Sequence, residues 1–336
     1  MRQVQFSRTG PAEVMFLGDA RMPEPAAGQV RLRVVAAGVN RADVAQRMGG
    51  YAPPPGASPV LGLEVSGTVD AVGSGVGAEW LGRALCSLTA GAGYSEWVCV
   101  PVEHCMPIPS GWTWAQAAAF PEAAMTVWSN IFDLGHLAPG ESLLVHGGTS
   151  GVGACAIAFA RARGHQVLAT AGSPRKCQAL AEWGAHAIDY RNEDFVVRAM
   201  QITEGRGVDV ILDMVGGDYV RRNIECAAMD GRVVQIAFQT GAQATVDLFT
   251  LMRRRAILTG SLLRPRGDGD KAAIVGRLRQ HIYPLLESGA IGAPCIDSIH
   301  DFSSVVQAHL RMESSQHIAK MALAWNPALA GETPRT

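Results

Sequence analysis

Six short apolar runs punctuate the middle of the chain: LLVH (143–146), QVLAT (166–170), HAID (186–189), DVILDM (209–214), RVVQIA (232–237) and AILTGS (256–261). Each is short, aliphatic or β-branched, and segments of helix length separate them. Such runs predict strands buried on both faces, and their alternation with helices predicts a doubly wound parallel sheet of six strands. Before this region, residues 1–123 are rich in glycine and proline and carry Val-rich pieces such as QVRLRVVAAGV and LEVSGTVDAVGSGV, which predict a β-rich lobe. After it, KAAIVGRLRQHIYPLLESG and FSSVVQAHLRMES read as helices and IAKMALAW as a strand. We expect these last pieces to rejoin the first lobe, and the tail NPALAGETPRT to be a frayed end.

Composition narrows the function classes. The 336 residues carry 29 basic and 30 acidic side chains, a net charge of -1, so there is no electrostatic footprint for nucleic acid or an anionic membrane. No apolar run approaches the roughly 18–20 residues that a membrane span needs, and the polar start MRQVQFSRTG lacks the apolar core of a secretion signal. The expectation is a soluble, cytoplasmic protein. The seven cysteines are scattered without a CxxC pair, so they predict neither a disulfide framework nor a local zinc knuckle, only small buried hydrophobes.

The stretch HGGTSGVG (146–153) lies where the first strand should end and a helix begin. A glycine-rich turn there lets a pyrophosphate reach backbone N–H groups at the positive end of a helix. Against G-x-G-x-x-G, Gly148 and Gly153 take the outer positions, Ser150 the middle one, and Gly151 and Val152 lie between. The Ser150 hydroxyl is a candidate phosphate ligand.

About 20 residues on, an acidic side chain would hold the ribose of NAD. The chain reads ATAGSPRKC there, with Gly172, Ser173, Arg175 and Lys176 and no carboxylate, which suits the 2'-phosphate of NADPH. One charge-assisted hydrogen bond of about 1.5–3 kcal/mol gives roughly ten- to hundredfold preference. Tyr190, in AIDYRNEDF, is a candidate for the same phosphate.

The segments GVNRADVAQRMGGYAPPPGASPVLGLEVSGTV (38–69), LLVHGGTSGVG, AGSPRK, SLLRPR (261–266) and DFSSVVQAH (301–309) resemble the zinc-free quinone oxidoreductases of the medium-chain dehydrogenase/reductase superfamily. The similarity runs over nearly the whole chain and is strongest to the tumour-suppressor-inducible type of NADPH quinone reductase. It implies a GroES-like catalytic domain from residues 1–123 and 263–336, a Rossmann NADPH-binding domain from 124–262, and a cofactor in the cleft. Where zinc-dependent relatives carry metal ligands, this chain has Asn40, Leu63 and Glu122. Such a set cannot form a tight tetrahedral zinc site, so no metal is expected.

The resemblance also implies roles. Asn40 would donate its amide to a substrate oxygen, Tyr51 its phenol O–H, and Gln46 is a further catalytic candidate. Thr126 would lie beside the nicotinamide, as would Gly216, Phe238 and Leu263 in the loops DMVGG, AFQTG and SLLR. The expected reaction is zinc-independent reduction of a quinone by NADPH. An enoyl-thioester reductase with Tyr51 as proton donor is the alternative, and a non-catalytic NADPH-binding protein is one of another class. The family also implies a homodimer along the sixth strand of the sheet. His146, with no acid partner visible in the sequence, is expected to be structural, and Arg253–Arg254–Arg255 a solvated helix end. Ser150 and Ala319 stand where the family carries glycine.

Overall fold

The computed structural model describes residues 1–334. In chain order the first part holds β1 (Arg2–Phe6), β2 (Met15–Asp19), β3 (Gln29–Val39), α1 (Arg41–Arg47), β4 (Glu64–Val72), β5 (Ala84–Leu88), β6 (Trp97–Pro101), β7 (Cys105–Pro107), α2 (Trp114–Ala118) and α3 (Pro121–Val127). The middle continues with β8 (Ser142–Val145), α4 (Gly151–Ala162), β9 (Gln166–Ala171), α5 (Pro174–Glu182), β10 (His186–Asp189), α6 (Phe195–Ile202), β11 (Val208–Asp213), α7 (Asp218–Cys226), β12 (Ala227–Gln235), α8 (Leu248–Arg254) and β13 (Ile257–Gly260). The last part holds α9 (Asp268–His281), α10 (Tyr283–Glu287), β14 (Ile296–Asp301), α11 (Val305–Ser314), β15 (Lys320–Ala324) and α12 (Pro327–Ala330).

Two compact units result, one from Met1–Ala123, Arg264–Glu287 and Ala293–Thr336, the other from Ala124–Leu263 and Ser288–Gly292. The first is the GroES-like β-rich unit. Its main sheet runs β14-β15-β3-β4-β5-β7, with β6 also paired to β3, and β1 and β2 form a separate antiparallel ribbon. Along β3 the side chains of Val30, Leu32 and Val34 alternate inward as the pleat requires, and they join Val65, Val98, Phe302 and Leu323 in the core. Further along β3, Ala36 meets Ala115 and Ala118 of α2, and Ala322 and Ala324 of β15, where small side chains let the helix lie close to the sheet. Thus the C-terminal segment rejoins the first lobe through β15, antiparallel to β3. Directly before β15, Ala319 has φ +64°, the left-handed region that glycine favours.

The second unit is a six-stranded parallel sheet in the order β10-β9-β8-β11-β12-β13, the doubly wound Rossmann arrangement. Leu144, Leu168, Ile188, Ile211 and Val233 form its core with Phe195 and Val220 of the covering helices. The predicted strands lie within about two residues of the observed ones, except that β12 begins at Ala227 rather than 232. Its first residue pairs with Val208, the register then shifts around Asp230 at φ +61°, and pairing resumes at Arg232.

Other local expectations change. The helix expected over 271–289 breaks at Ile282 into α9 and α10. The tail folds instead of fraying: Asn326 caps α12, and the Glu332 carbonyl accepts from the Trp114 N–H at 3.1 Å, while residues 335 and 336 of that segment lie outside the described residues. Of the cysteines only Cys86, Cys105 and Cys226 are buried; Cys99, Cys155 and Cys177 are half-buried and Cys295 is exposed. The arginine triplet ends α8 as expected, but Arg255 is paired with Asp230 and Arg254 donates to the Glu225 carbonyl at 3.2 Å. Among the described residues no helix is long and apolar enough to cross a membrane.

Candidate active site

Four residues from four elements converge in the first unit. Asn40 caps α1, Glu64 begins β4, Glu122 sits in the first turn of α3 and Lys320 begins β15. The fully buried Glu64 carboxylate pairs with the Lys320 ammonium, accepts from Asn40 Nδ2 at 2.9 Å, and accepts from the Glu122 backbone N–H at 2.9 Å. Lys320 Nζ also donates to Asn40 Oδ1 at 2.7 Å. Both ends of the Asn40 amide are therefore engaged, and one N–H remains for a substrate oxygen. A β-carbon at Gly38 would collide with Glu64 Oε1, so glycine there makes room for this carboxylate.

Asp43 lies behind the cluster, accepting from the Asn40 and Gly62 N–H groups at 2.8 and 2.9 Å. Burial raises its pKa to about 6 despite those donors. The Glu122 carboxyl makes no hydrogen bond among the described residues. Burial, followed by the negative charge of Glu64, raises its pKa to about 8, so it carries a proton at neutral pH. Asn40, Leu63 and Glu122, the three positions compared with metal ligands in the sequence, are thus an engaged amide, a buried leucine and a protonated acid. Among the described residues no three His, Cys, Asp or Glu side chains are grouped to hold a metal ion.

Tyr51 is half-buried after α1, and the Arg264 guanidinium lies 5.6 Å from its ring centroid. Burial raises the Tyr51 pKa, the nearby Glu122 raises it further, and Arg264 works against both. Gln46 does not face outward to a substrate. Its Nε2 donates to the Pro59 carbonyl and its Oε1 accepts from Arg264 Nη1, both at 2.7 Å. Arg264, whose place here was not readable from SLLR alone, connects the two catalytic candidates Tyr51 and Gln46.

In the second unit the glycine loop follows β8 and opens α4. A β-carbon at Gly148 would sit 2.7 Å from Ala169 Cβ and 2.8 Å from Leu180 Cδ2, and one at Gly153 would sit 2.5 Å from the Gly147 carbonyl. Only glycine permits this closeness of strand, turn and helix. Ser150 is the N-cap of α4, its Oγ accepting from the Gly153 N–H at 3.0 Å. Its oxygen thus serves the helix, and the N–H groups of Gly151 and Val152 at the helix start are the ones left for phosphate.

At the end of β9, Ser173 caps α5 by accepting from the Lys176 N–H at 3.4 Å. Arg175 is exposed in the first turn of α5, and no carboxylate stands in ATAGSPRKC. Tyr190 packs so tightly on Gly172 that a β-carbon there would lie 2.5 Å from its hydroxyl. The loops after β11 and β12 meet as well: a β-carbon on Gly216 would come within 3.0 Å of Phe238, and Thr240 Oγ1 donates to the Val215 carbonyl at 3.0 Å. Phe238 is exposed and Leu263 buried. Thr126 is buried in α3, and its hydroxyl makes no hydrogen bond among the described residues.

His146 has an acid after all. Its Nε2 lies 2.7 Å from Asn223 Oδ1, and Asn223 Nδ2 donates to Asp213 Oδ2 at 2.9 Å. Asp213 Oδ1 accepts from the N–H groups of Val215 and Gly216 at 2.6 and 3.2 Å. On the other side, His146 Nδ1 is 3.2 Å from Thr170 Oγ1, which accepts from the Gly147 N–H at 3.2 Å. Burial lowers the His146 pKa and keeps the ring neutral. This buried chain ties together the carboxyl ends of β9, β8 and β11, the neighbouring strands at which dinucleotides bind doubly wound sheets.

Comparison with known proteins agrees with this architecture. Residues 26–110 match the family "Alcohol dehydrogenase GroES-like domain" and residues 151–274 match "Zinc-binding dehydrogenase". The chain is 29% identical over 326 residues, 96% of its length, to one component of the phenolphthiocerol/phthiocerol polyketide synthase of Mycobacterium tuberculosis. It is 32% identical over 94% of its length to a mycocerosic acid synthase-like polyketide synthase of Mycolicibacterium smegmatis. It spans only 15% of either of these relatives. Among solved structures, Escherichia coli quinone oxidoreductase complexed with NADPH superposes with a TM-score of 0.85 at 27% identity, covering 96% of this chain and 100% of that one. The second unit is an NAD(P)H-binding architecture of the type through which such enzymes use NADPH. With its two matched domains, the chain belongs to the medium-chain dehydrogenase/reductase superfamily.

Proposed function

We propose that the chain reduces the carbon–carbon double bond of an enoyl thioester with NADPH, and that Tyr51 supplies the proton. The observation that carries this reading is the placement of Tyr51. Its phenol is half-buried, keeps its proton at neutral pH, and faces a fixed cation in Arg264. A proton delivered to carbon needs such an acid, whereas a quinone takes its protons on oxygen, where water can supply them. The polyketide synthase relatives add support, because a hydride-transfer fold carried inside an enzyme that assembles acyl chains is surrounded by thioesters.

NADPH, when bound, supplies the hydride that goes to the β-carbon. The residues at the carboxyl ends of β8 and β9 fit it: helix-start N–H groups at Gly151 and Val152, a turn in which Gly148 and Gly153 leave no room for a β-carbon, and Ser173, Arg175 and Lys176 for a 2'-phosphate. The remaining Asn40 N–H and the protonated Glu122 would hydrogen-bond the thioester carbonyl and bear the charge that develops there. Tyr51 then protonates the α-carbon. No step requires a Lewis acid.

Quinone reduction is the second reading, favoured by the 27% identity over nearly the full chain with the E. coli quinone oxidoreductase. The two separate in one assay, following NADPH absorbance with a crotonyl thioester and with a small quinone in wild type and Tyr51→Phe. The enoyl reading expects thioester turnover that collapses in the variant. A wild type that reduces quinone and leaves the thioester untouched overturns it, and a protein that binds NADPH yet reduces neither supports a purely nucleotide-binding role. A homodimer also fits. β13 is an edge strand with Ile257 and Leu258 exposed, and the neighbouring α8 exposes Leu248, Phe249 and Met252.

A further inference from the structure

Arg264 is 5% exposed, yet no carboxylate lies within ion-pairing distance of it among the described residues. Its Nε and Nη2 donate to the Ala90 carbonyl at 3.0 and 2.8 Å and its Nη1 to Gln46. Gln46 is in turn held by the Pro59 carbonyl, and Lys271 Nζ donates to the Arg264 carbonyl at 2.9 Å. A buried guanidinium in contact only with neutral acceptors and one aromatic face has lost its hydration without a counter-ion in direct contact, Asp43 and Glu122 acting on it only through space. Such a site is complete only when a negative charge appears beside it, and the one group in ring contact that can acquire one is Tyr51.

We propose that Arg264, clamped by Ala90 and Gln46, is the positioning residue for Tyr51: it fixes the phenol and stabilises the phenolate left once the proton has moved to the substrate. The inference rests on the enoyl-thioester reading. In that step the Tyr51 O–H bond breaks and its electron pair stays on oxygen. The proton forms the new C–H bond at the α-carbon, and water reprotonates the phenolate before the next turnover. The charged or titratable groups near this pair are Glu122 of α3, Asp43 of α1 and Lys271 of α9. Once ionised, above about pH 8, Glu122 opposes a phenolate, and Arg264 favours one. Gln46 has its place in the same account, as the clamp on Arg264 rather than as a substrate ligand.

The test uses the full chain as wild type, Arg264→Met, Arg264→Lys, Tyr51→Phe and the double variant Arg264→Met/Tyr51→Phe. Ultraviolet titration of phenolate, taken as the difference between each protein and its Tyr51→Phe counterpart, isolates Tyr51 from the other four of the five tyrosines. The expected result is a Tyr51 midpoint at higher pH in Arg264→Met and closer to wild type in Arg264→Lys; an unmoved midpoint overturns the proposal. With a crotonyl thioester, kcat should fall roughly tenfold or more in Arg264→Met with little change in KM for NADPH, and the double variant should be no slower than Tyr51→Phe alone. Multiplicative losses in the double variant overturn it as well. If Arg264→Met does not fold, Arg264→Lys and Gln46→Leu, which loosens the clamp, give the same two readouts. If wild type leaves the thioester unreduced, the functional reading fails while the titration still decides whether Arg264 governs Tyr51.

Discussion

The Lys320 ammonium and the Glu64 carboxylate form an ion pair 256 residues apart in sequence, with both side chains out of solvent. Breaking such a pair from one side leaves an uncompensated buried charge. Lys320→Met should therefore lower stability by about 3–5 kcal/mol in urea unfolding. Pairing it with Glu64→Gln should recover a large part of the loss. A cost no larger than that of an exposed lysine substitution would mean that the pair is open to water.

Glu122 makes stability depend on pH in an unusual direction. Its folded-state pKa of about 8 stands above the ordinary 4.5, so between those values the folded chain holds a proton that the unfolded chain releases. The resulting stabilisation is fully present below 4.5 and is lost as pH rises through about 8. Asp43, raised from 3.8 to about 6, acts in the same direction over a lower window. Urea midpoints measured across this range should fall with rising pH in wild type and flatten in their upper part in Glu122→Gln.

Nucleotide choice should reside in the first turn of α5. Replacing Lys176 with alanine is expected to cut the NADPH over NADH ratio of kcat/KM by roughly ten- to hundredfold, the value of one charge-assisted hydrogen bond. Ser173→Ala should have a smaller effect on the ratio and should also cost the α5 cap. A wild type that prefers NADH overturns the assignment.

The buried chain through His146 ties loops that would hold the dinucleotide. His146→Leu leaves Asn223 Oδ1 and Thr170 Oγ1 without that partner, which should cost about 1–3 kcal/mol in unfolding and weaken NADPH binding in a fluorescence titration. His146→Gln, which keeps a polar tip, should lose less of both. Equal NADPH affinity in all three proteins would make the histidine a packing residue only.

Dimerisation, if it uses β13, should be sensitive at Leu258, whose side chain is 44% exposed on that edge. Leu258→Lys should shift the sedimentation coefficient from dimer to monomer without changing the far-ultraviolet spectrum.

The parallel sheet was legible because each strand is a short apolar run whose partners are set by a repeating strand–helix alternation. The glycine turn was legible because close packing excludes every other residue from Gly148 and Gly153. What stayed hidden is polar and distant in sequence. Nothing near Asn40 announces that Glu64 and Lys320 will take its amide, and nothing near Gln46 announces Arg264, 218 residues on. His146 looked isolated because its acid is reached through Asn223, 77 residues away. Periodicity records which face of an element is buried; it carries no record of which buried polar groups satisfy one another.

Ala319 has a consequence of its own. The methyl group is held in a left-handed turn that costs an alanine roughly 1 kcal/mol, immediately before the lysine that anchors Glu64. Glycine would relax the turn, yet it would also widen the range of directions from which the ammonium can approach. The lysine that completes the acid cluster is thus presented by a turn that a residue without a β-carbon would adopt more freely.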